Sequence, residues 1–231
     1  MQRVVKFITL GCKVNQYETN AMAQKFLEKG YKVIEEYEQN GEKPDICIIN
    51  TCTVTNMSDR KSRQALRKVK DKNKDAIIVA TGCYAQSSKE ELEKMPEIDV
   101  VLGNEEKRDI VKYVEKYFEQ NQKLTAVQDI SVQKEFEDMG QISYTEKIRA
   151  VIKVQDGCNQ FCSYCIIPYA RGRIRSRKIE NVKENSAEIF KTLPDILSRN
   201  FPVICTEWCQ WKTIVRFNIC LWAEVFKRIA Y

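Results

Sequence analysis

Three cysteines stand close together in the second half of the chain, at Cys158, Cys162 and Cys165. Thiolates at this density bind a metal or react with each other. Their spacing, C-x3-C-x2-C, suits a [4Fe–4S] cluster with one iron left open for a substrate. A structural zinc ion takes four ligands, and the chain has no histidine to supply the fourth, although another cysteine could. The spacing therefore favours an iron–sulfur site, with zinc or a structural thiol cluster as alternatives.

Three further cysteines occupy matching positions in the first half of the chain, each within about two residues of the end of a predicted strand. They are Cys12, Cys52 and Cys83, after the strands predicted at 4–10, 45–50 and 76–80. Functional groups gather beyond the carboxyl ends of parallel strands, so these thiols are expected to converge on one sheet edge. They predict a second three-cysteine site, against the simpler interpretation of small buried residues in turns. Cys47 lies inside a predicted strand and is expected in the core.

Strands and helices alternate over residues 1–120, which predicts an α/β domain with a doubly wound parallel sheet. Residues 121–146 show mixed polarity and are interpreted as a linker, with one short strand at 124–127. The apolar alternation from Lys147 to Gln155 predicts a further strand, which delivers the loop of Cys158 from its carboxyl end.

Composition places the chain among cytoplasmic metal-binding proteins. Ten cysteines without a secretory signal favour metal chemistry over disulfides. No apolar run is long enough to cross a bilayer, so no membrane association is expected. The net charge of +6 is compatible with a polyanionic partner.

Basic residues are concentrated in the helix predicted after Cys52. We expect it to contact RNA phosphates through Arg60, Arg63, Arg67 and Lys70. The alternative is a solvated helix face.

The segment from Asp156 to Arg177 resembles the cluster loop of the radical S-adenosylmethionine (SAM) tRNA methylthiotransferase family. Within that family it is most similar to the branch that acts on N6-threonylcarbamoyladenosine beside the anticodon. Residues 10–16, 50–55 and 81–86 resemble the family's three auxiliary-cluster motifs. The resemblance covers about residues 1–183.

This resemblance implies an enzyme with two [4Fe–4S] clusters, one on each set of three cysteines. It implies that SAM binds the open iron of the loop cluster and is cleaved to a 5′-deoxyadenosyl radical by one electron. Flavodoxin or ferredoxin would donate that electron, tRNA would be the substrate, and the auxiliary cluster would serve sulfur insertion. Residues 147–190 would begin the radical SAM β/α barrel, with Tyr164, Arg171 and Arg173 as candidates for binding SAM. For the two arginines, tRNA phosphate or a solvated edge are alternatives.

Residues 191–231 form an atypical tail that contains all three tryptophans and no glycine. From Lys147 to the end there is room for only two or three βα units of about 30 residues each. We therefore expect a truncated barrel and an inactive chain that arises from a reading-frame change, and the alternative is a genuine short variant whose tail covers the exposed barrel edge or recruits a partner. The alternatives to an enzyme are an iron–sulfur electron carrier or sensor and a zinc-binding RNA module.

Overall fold

The computed structural model of the protein describes residues 2–34, 43–140, 151–192 and 204–206. The first residues of the strand predicted from Lys147, and all of the atypical tail except 191–192 and 204–206, lie outside these ranges. No described helix is both long and apolar enough to cross a membrane.

A six-stranded parallel sheet organises the first half of the chain and confirms the predicted fold class. The strands are β1 (Val4–Thr9), β2 (Lys32–Ile34), β3 (Ile46–Thr51), β4 (Ile77–Gly82), β5 (Val100–Leu102) and β6 (Leu124–Ala126). Their order is β2-β1-β3-β4-β5-β6. Five α-helices connect them: α1 (Lys13–Glu28), α2 (Asn56–Lys72), α3 (Cys83–Ser87), α4 (Lys89–Glu93) and α5 (Ile110–Gln120).

Alternate residues of the central strands build two separate cores, one on each face of the sheet. In β3, Ile46 and Ile48 pack on the face covered by α1 and α5, whereas Cys47 and Ile49 pack on the face covered by α2 and α4. This alternation follows from the two-residue period of a strand. Cys47 is fully buried, as expected for a core residue, and burial raises the pKa of its thiol to about 12.

One helix boundary differs from prediction for a local reason. The helix predicted from residue 59 begins at Asn56, because the side chain of Thr55 caps it by accepting a hydrogen bond from the Ser58 amide at 3.1 Å. The short strand predicted at 124–127 is confirmed as β6, which pairs with β5. The sheet therefore extends past residue 120.

A second unit follows, with β7 (Val151–Lys153), β8 (Gln155–Asp156), α6 (Ile167–Ala170), β9 (Arg175–Ser176), α7 (Ile179–Thr192) and β10 (Ile204–Thr206). β7 and β10 pair in parallel, with α7 between them in sequence. Strand, helix and parallel strand are the repeating unit of a β/α barrel. β8 and β9 form an antiparallel pair at the base of the loop that carries Cys158.

Candidate metal centres at the sheet edge and the cluster loop

Cys12, Cys52 and Cys83 follow three neighbouring strands at the same edge of the sheet. Cys12 caps α1 after β1, Cys52 directly follows β3, and Cys83 begins α3 directly after β4. The chain reverses direction across the sheet between β1 and β3, since β2 lies on the opposite side of β1. In open α/β sheets the crevice at such a switch point is where ligands bind. The strand order thus places the three cysteines at the edge where ligands bind in sheets of this type.

The turn before Cys12 packs directly against Cys52. Gly11 has φ +102°, and a Cβ added there would lie 2.6 Å from Cβ and 2.7 Å from Sγ of Cys52. A larger residue at this position would clash and would also require a strained backbone. Glycine therefore allows the first two thiols to approach each other.

Asn15 forms hydrogen bonds with the turn before Cys12 and the turn before Cys52. The sequence analysis did not predict it as a site residue. Its Nδ2 donates to the carbonyl oxygens of Leu10 at 2.8 Å and Thr51 at 3.0 Å. Its Oδ1 accepts a hydrogen bond from Sγ of Cys12 at 3.6 Å. The residue lies in a motif that the sequence analysis singled out, so its position was a usable signal.

The third thiol of this set, Cys83, lies in a buried and positively charged environment. Burial raises the pKa of Cys83, and the nearby cations Arg171 and Lys107 partly counteract that rise. The thiol form is therefore favoured in the metal-free chain. The same two cations favour any negative charge that develops on this sulfur.

The loop of the second cysteine set begins at a conformation that requires glycine. Gly157 has φ +78°, and a Cβ there would overlap the carbonyl oxygen of Arg173. The next residue, Cys158, is buried and donates its amide hydrogen to the carbonyl oxygen of Gly172 at 3.0 Å. Cys162 is exposed and Cys165 is half-buried. The loop thus anchors one thiol in the protein and leaves the other two more accessible.

The donor chemistry of both sets fits iron–sulfur clusters. All six cysteines are free thiols, and cysteine thiolates are the usual ligands of such clusters. Within the described part of the chain, no three cysteine, aspartate or glutamate side chains are grouped so as to hold a single metal ion. A cluster binds each thiolate through a different iron, so its ligands do not need to surround one point.

A cluster of buried charges joins the sheet edge to the loop. Glu18 on α1 forms ion pairs with Lys107, with Lys153 at 2.9 Å and with Arg171 at 2.7 Å. Lys153 also pairs with Asp156 at 2.6 Å. These five side chains are almost completely shielded from solvent. We call this group the buried ion cluster.

The cations of the buried ion cluster keep its carboxylates charged. Burial alone would raise the pKa of Glu18, but Arg171, Lys107 and Lys153 hold it well below its usual range. Burial would also raise the pKa of Asp156, but Lys153 and Arg171 lower it to about 2. Each charge of the group thus has a partner of opposite sign, which a buried position requires, and three cations against two carboxylates leave one excess positive charge. Glu18, Lys107 and Lys153 carried no recognisable signal in the sequence.

The candidate SAM-binding residues occupy different environments. Tyr164 is 86 % exposed on the loop between Cys162 and Cys165. Arg173 is also exposed, and its guanidinium carbon lies 4.2 Å from the ring centre of Phe161. Arg171 is fully buried in the ion cluster, away from any solvent-facing ligand. Tyr164 and Arg173 are therefore accessible to a ligand, and Arg171 contacts protein groups.

The candidate RNA-binding residues on α2 are divided between paired and exposed positions. Ion pairs join Arg63 to Glu91 at 3.2 Å, Arg67 to Glu97 at 3.6 Å and Lys70 to Asp99 at 3.6 Å. Arg60 is exposed. These three residues already have carboxylate partners in the elements that follow α2, which reduces their availability for phosphates.

The chain is similar to known methylthiotransferases over most of its length. Residues 4–103 match the family model described as an uncharacterized protein family, UPF0004. Over 178 residues, or 77% of this chain, it is 46% identical to a threonylcarbamoyladenosine tRNA methylthiotransferase, MtaB, of Aquifex aeolicus. It is 43% identical over 185 residues, or 80% of the chain, to MtaB of Bacillus subtilis. A ribosomal protein uS12 methylthiotransferase, RimO, of Clostridium novyi is 35% identical over 80% of the chain.

These matches cover 42%, 40% and 41% of the three relatives, so the chain spans about two-fifths of their length. Fold and similarity together define the class of protein: an α/β chain related to the methylthiotransferases. Within that class, the resemblance to the branch acting on threonylcarbamoyladenosine in tRNA is confirmed.

Proposed function

We propose that the chain contributes the two cluster sites of a radical SAM tRNA methylthiotransferase, the kind of enzyme that adds a methylthio group to C2 of N6-threonylcarbamoyladenosine next to the anticodon. The observation that carries this proposal is the presence of two three-cysteine sets joined through one buried ion cluster. The MtaB relatives support the choice of substrate. The function further implies a cytoplasmic protein that meets tRNA, SAM and an electron donor such as flavodoxin or ferredoxin.

In this proposal each set of cysteines holds one [4Fe–4S] cluster. Cys158, Cys162 and Cys165 hold the cluster at which SAM is cleaved, and Cys12, Cys52 and Cys83 hold the auxiliary cluster. When bound, the clusters and SAM supply the radical and sulfur chemistry. Cys162 is exposed and Cys165 is half-buried, which suits a site that a substrate must reach. The burial of Cys52 and Cys83 suits a site that excludes water.

Two other residues of this segment are candidates for binding SAM. We propose that Tyr164 and Arg173 contact it, because both are exposed on the segment around the accessible thiols. An aromatic ring offers a stacking surface for adenine, and a guanidinium offers paired donors for a carboxylate.

Anaerobic reconstitution of the 231-residue chain with iron and sulfide tests the proposal. The unsubstituted chain is expected to bind two clusters, and the loop cluster should change its EPR spectrum when SAM is added. Replacement of Cys12, Cys52 and Cys83 by alanine should halve the bound iron and keep the response to SAM. Replacement of Cys158, Cys162 and Cys165 should also halve the iron but abolish the response.

The same experiment separates the alternative functions. An iron–sulfur carrier or sensor with fully ligated clusters would bind iron without any spectral response to SAM. A zinc-binding RNA module would bind zinc and show no visible absorption. Either result would contradict the proposed function.

A further inference from the structure

Arg171 lies between the two cysteine sets and connects them through its guanidinium. Nη2 donates to Oδ1 of Asn15 at 2.7 Å, and that oxygen also accepts the hydrogen bond from Sγ of Cys12. Nη1 lies 3.2 Å from both carboxylate oxygens of Asp156, two residues before Cys158. One side chain thus bridges the sheet-edge turn and the cluster loop.

The surroundings of Arg171 hold this bridge in one geometry. The side chain is completely buried, and Nη1 also donates to Glu18 on α1 at 2.7 Å. Oδ1 of Asp156 accepts the amide hydrogen of Gly157 at 2.8 Å, which fixes the first residue of the loop. A planar guanidinium can serve acceptors on two sides at once, whereas a lysine ammonium cannot reproduce that fork.

Arg171 also lies near the third thiol of the sheet edge. Helix α6 ends directly before Arg171 and contacts α3, which begins with Cys83. The Nε of Arg171 is buried and has no hydrogen-bond partner in the described part of the chain. An unpaired donor near a thiol is available to a thiolate or to a cluster sulfide, whose properties respond to such hydrogen bonds.

We propose that Arg171 is a positioning residue shared by both cysteine sites, so that occupation of one site stabilises the other. The inference rests on the proposed function in assigning one cluster to each set. It gives Arg171 a role different from the SAM or phosphate contact expected from the sequence, because both terminal nitrogens already donate to protein acceptors.

Loss of iron to a chelator under anaerobic conditions tests this coupling. Three reconstituted chains are compared: the unsubstituted chain, the Cys12/Cys52/Cys83 triple alanine variant and the Cys158/Cys162/Cys165 triple alanine variant. If the sites are independent, the release trace of the unsubstituted chain equals the sum of the two variant traces. We expect release from the unsubstituted chain to be slower than that sum by about fivefold or more, the usual range of coupling between sites.

Iron release is then measured for the same three chains with Arg171→Lys added. This substitution keeps the positive charge but removes the planar guanidinium, which donates to acceptors on two sides. With Arg171→Lys, we expect the release trace of the chain with all six cysteines to equal the sum of the two triple-alanine traces. Arg177→Lys is the matched control, because Arg177 is also buried but contacts Tyr17 and Asp138 instead of the two sites. It should preserve the slow release.

Additive traces in the unsubstituted chain would overturn the inference, as would slow release that survives in Arg171→Lys. If circular dichroism shows that Arg171→Lys does not fold, Asn15→Ser replaces it with the same expectation, since it weakens the acceptor and keeps all charges. Failure of the proposed function looks different: the unsubstituted chain would bind no iron–sulfur cluster, in which case the coupling fails with it, or would bind clusters whose EPR spectrum does not respond to SAM.

Discussion

Glu137 is a buried carboxyl group with an unusual protonation state. Burial raises its pKa from 4.5 to about 8, and Lys153 offsets only part of that rise. Its Oε1 has no hydrogen-bond partner among the described residues. The folded chain therefore binds a proton here at neutral pH that the unfolded chain releases. The stability of the fold should therefore change with pH as Glu137 titrates.

Glu137→Gln should remove that dependence. Between about pH 5 and 8 the native state holds one more proton than the unfolded state, so unfolding free energy falls as pH rises, by up to about 1.4 kcal/mol per pH unit. The stability advantage of Glu137→Gln should grow over this interval and level off above it. Urea titrations at several pH values measure it, with the exposed Glu135→Gln as control. A constant difference between variant and unsubstituted chain would contradict the shifted pKa.

Helix α2 presents two basic faces with different surroundings. Arg63, Arg67 and Lys70 face carboxylates that follow α3 in the chain. Lys61, Lys68 and Lys72 are exposed, and no described carboxylate forms an ion pair with them. Spacings of seven and four residues place these three lysines on one stripe. The stripe is the part of α2 best suited to contact RNA phosphates.

Replacement of Lys61, Lys68 and Lys72 by alanine should flatten the salt dependence of tRNA binding. Each phosphate contact that is lost lowers the logarithmic slope by roughly 0.7–0.9. The matched variant, with alanine at Arg63, Arg67 and Lys70, should change the slope less, because those cations already have partners. Filter binding over a range of salt concentrations measures both. Equal slopes in all three chains would make the exposed lysines a solvated face.

At the scale of the whole molecule, the buried ion cluster joins the sheet domain to the second unit. Glu18 belongs to α1, whereas Lys153 and Arg171 lie more than a hundred residues later. Arg175 and Arg177 add contacts of the same kind, to Glu105 and Asp138. Buried charges are tolerated only when each has a partner. The two units are therefore held together by electrostatic complementarity in addition to packing.

Glu18→Ala should destabilise the chain by about 3–5 kcal/mol, because it leaves buried cations without their shared carboxylate. The exposed pair between Asp109 and Lys112 provides the control, and Asp109→Ala should cost less than about 1 kcal/mol. Thermal and urea unfolding give both values. Similar costs for the two substitutions would show that the cluster contributes no more than a surface pair.

The sequence by itself determined the parallel sheet and the edge at which Cys12, Cys52 and Cys83 meet. Apolar strands of period two and the turns that follow them are local features, and parallel strands necessarily bring their carboxyl ends together. The resemblance to methylthiotransferases rested on equally local motifs. Strands, turns and motifs are each defined by neighbouring residues, and the shared sheet edge follows from the parallel arrangement of the strands.

Only the tertiary structure decided which charged residues are buried and which remain free. Glu18 and Lys107 stand 89 positions apart, and Glu18 and Arg171 stand 153 apart, so no local pattern connects them. The same holds for α2, where the partners of Arg63 and Arg67 come from a different part of the chain. Burial of a charge depends on the groups that folding brings next to it, because each ion must find its counterion or remain in water.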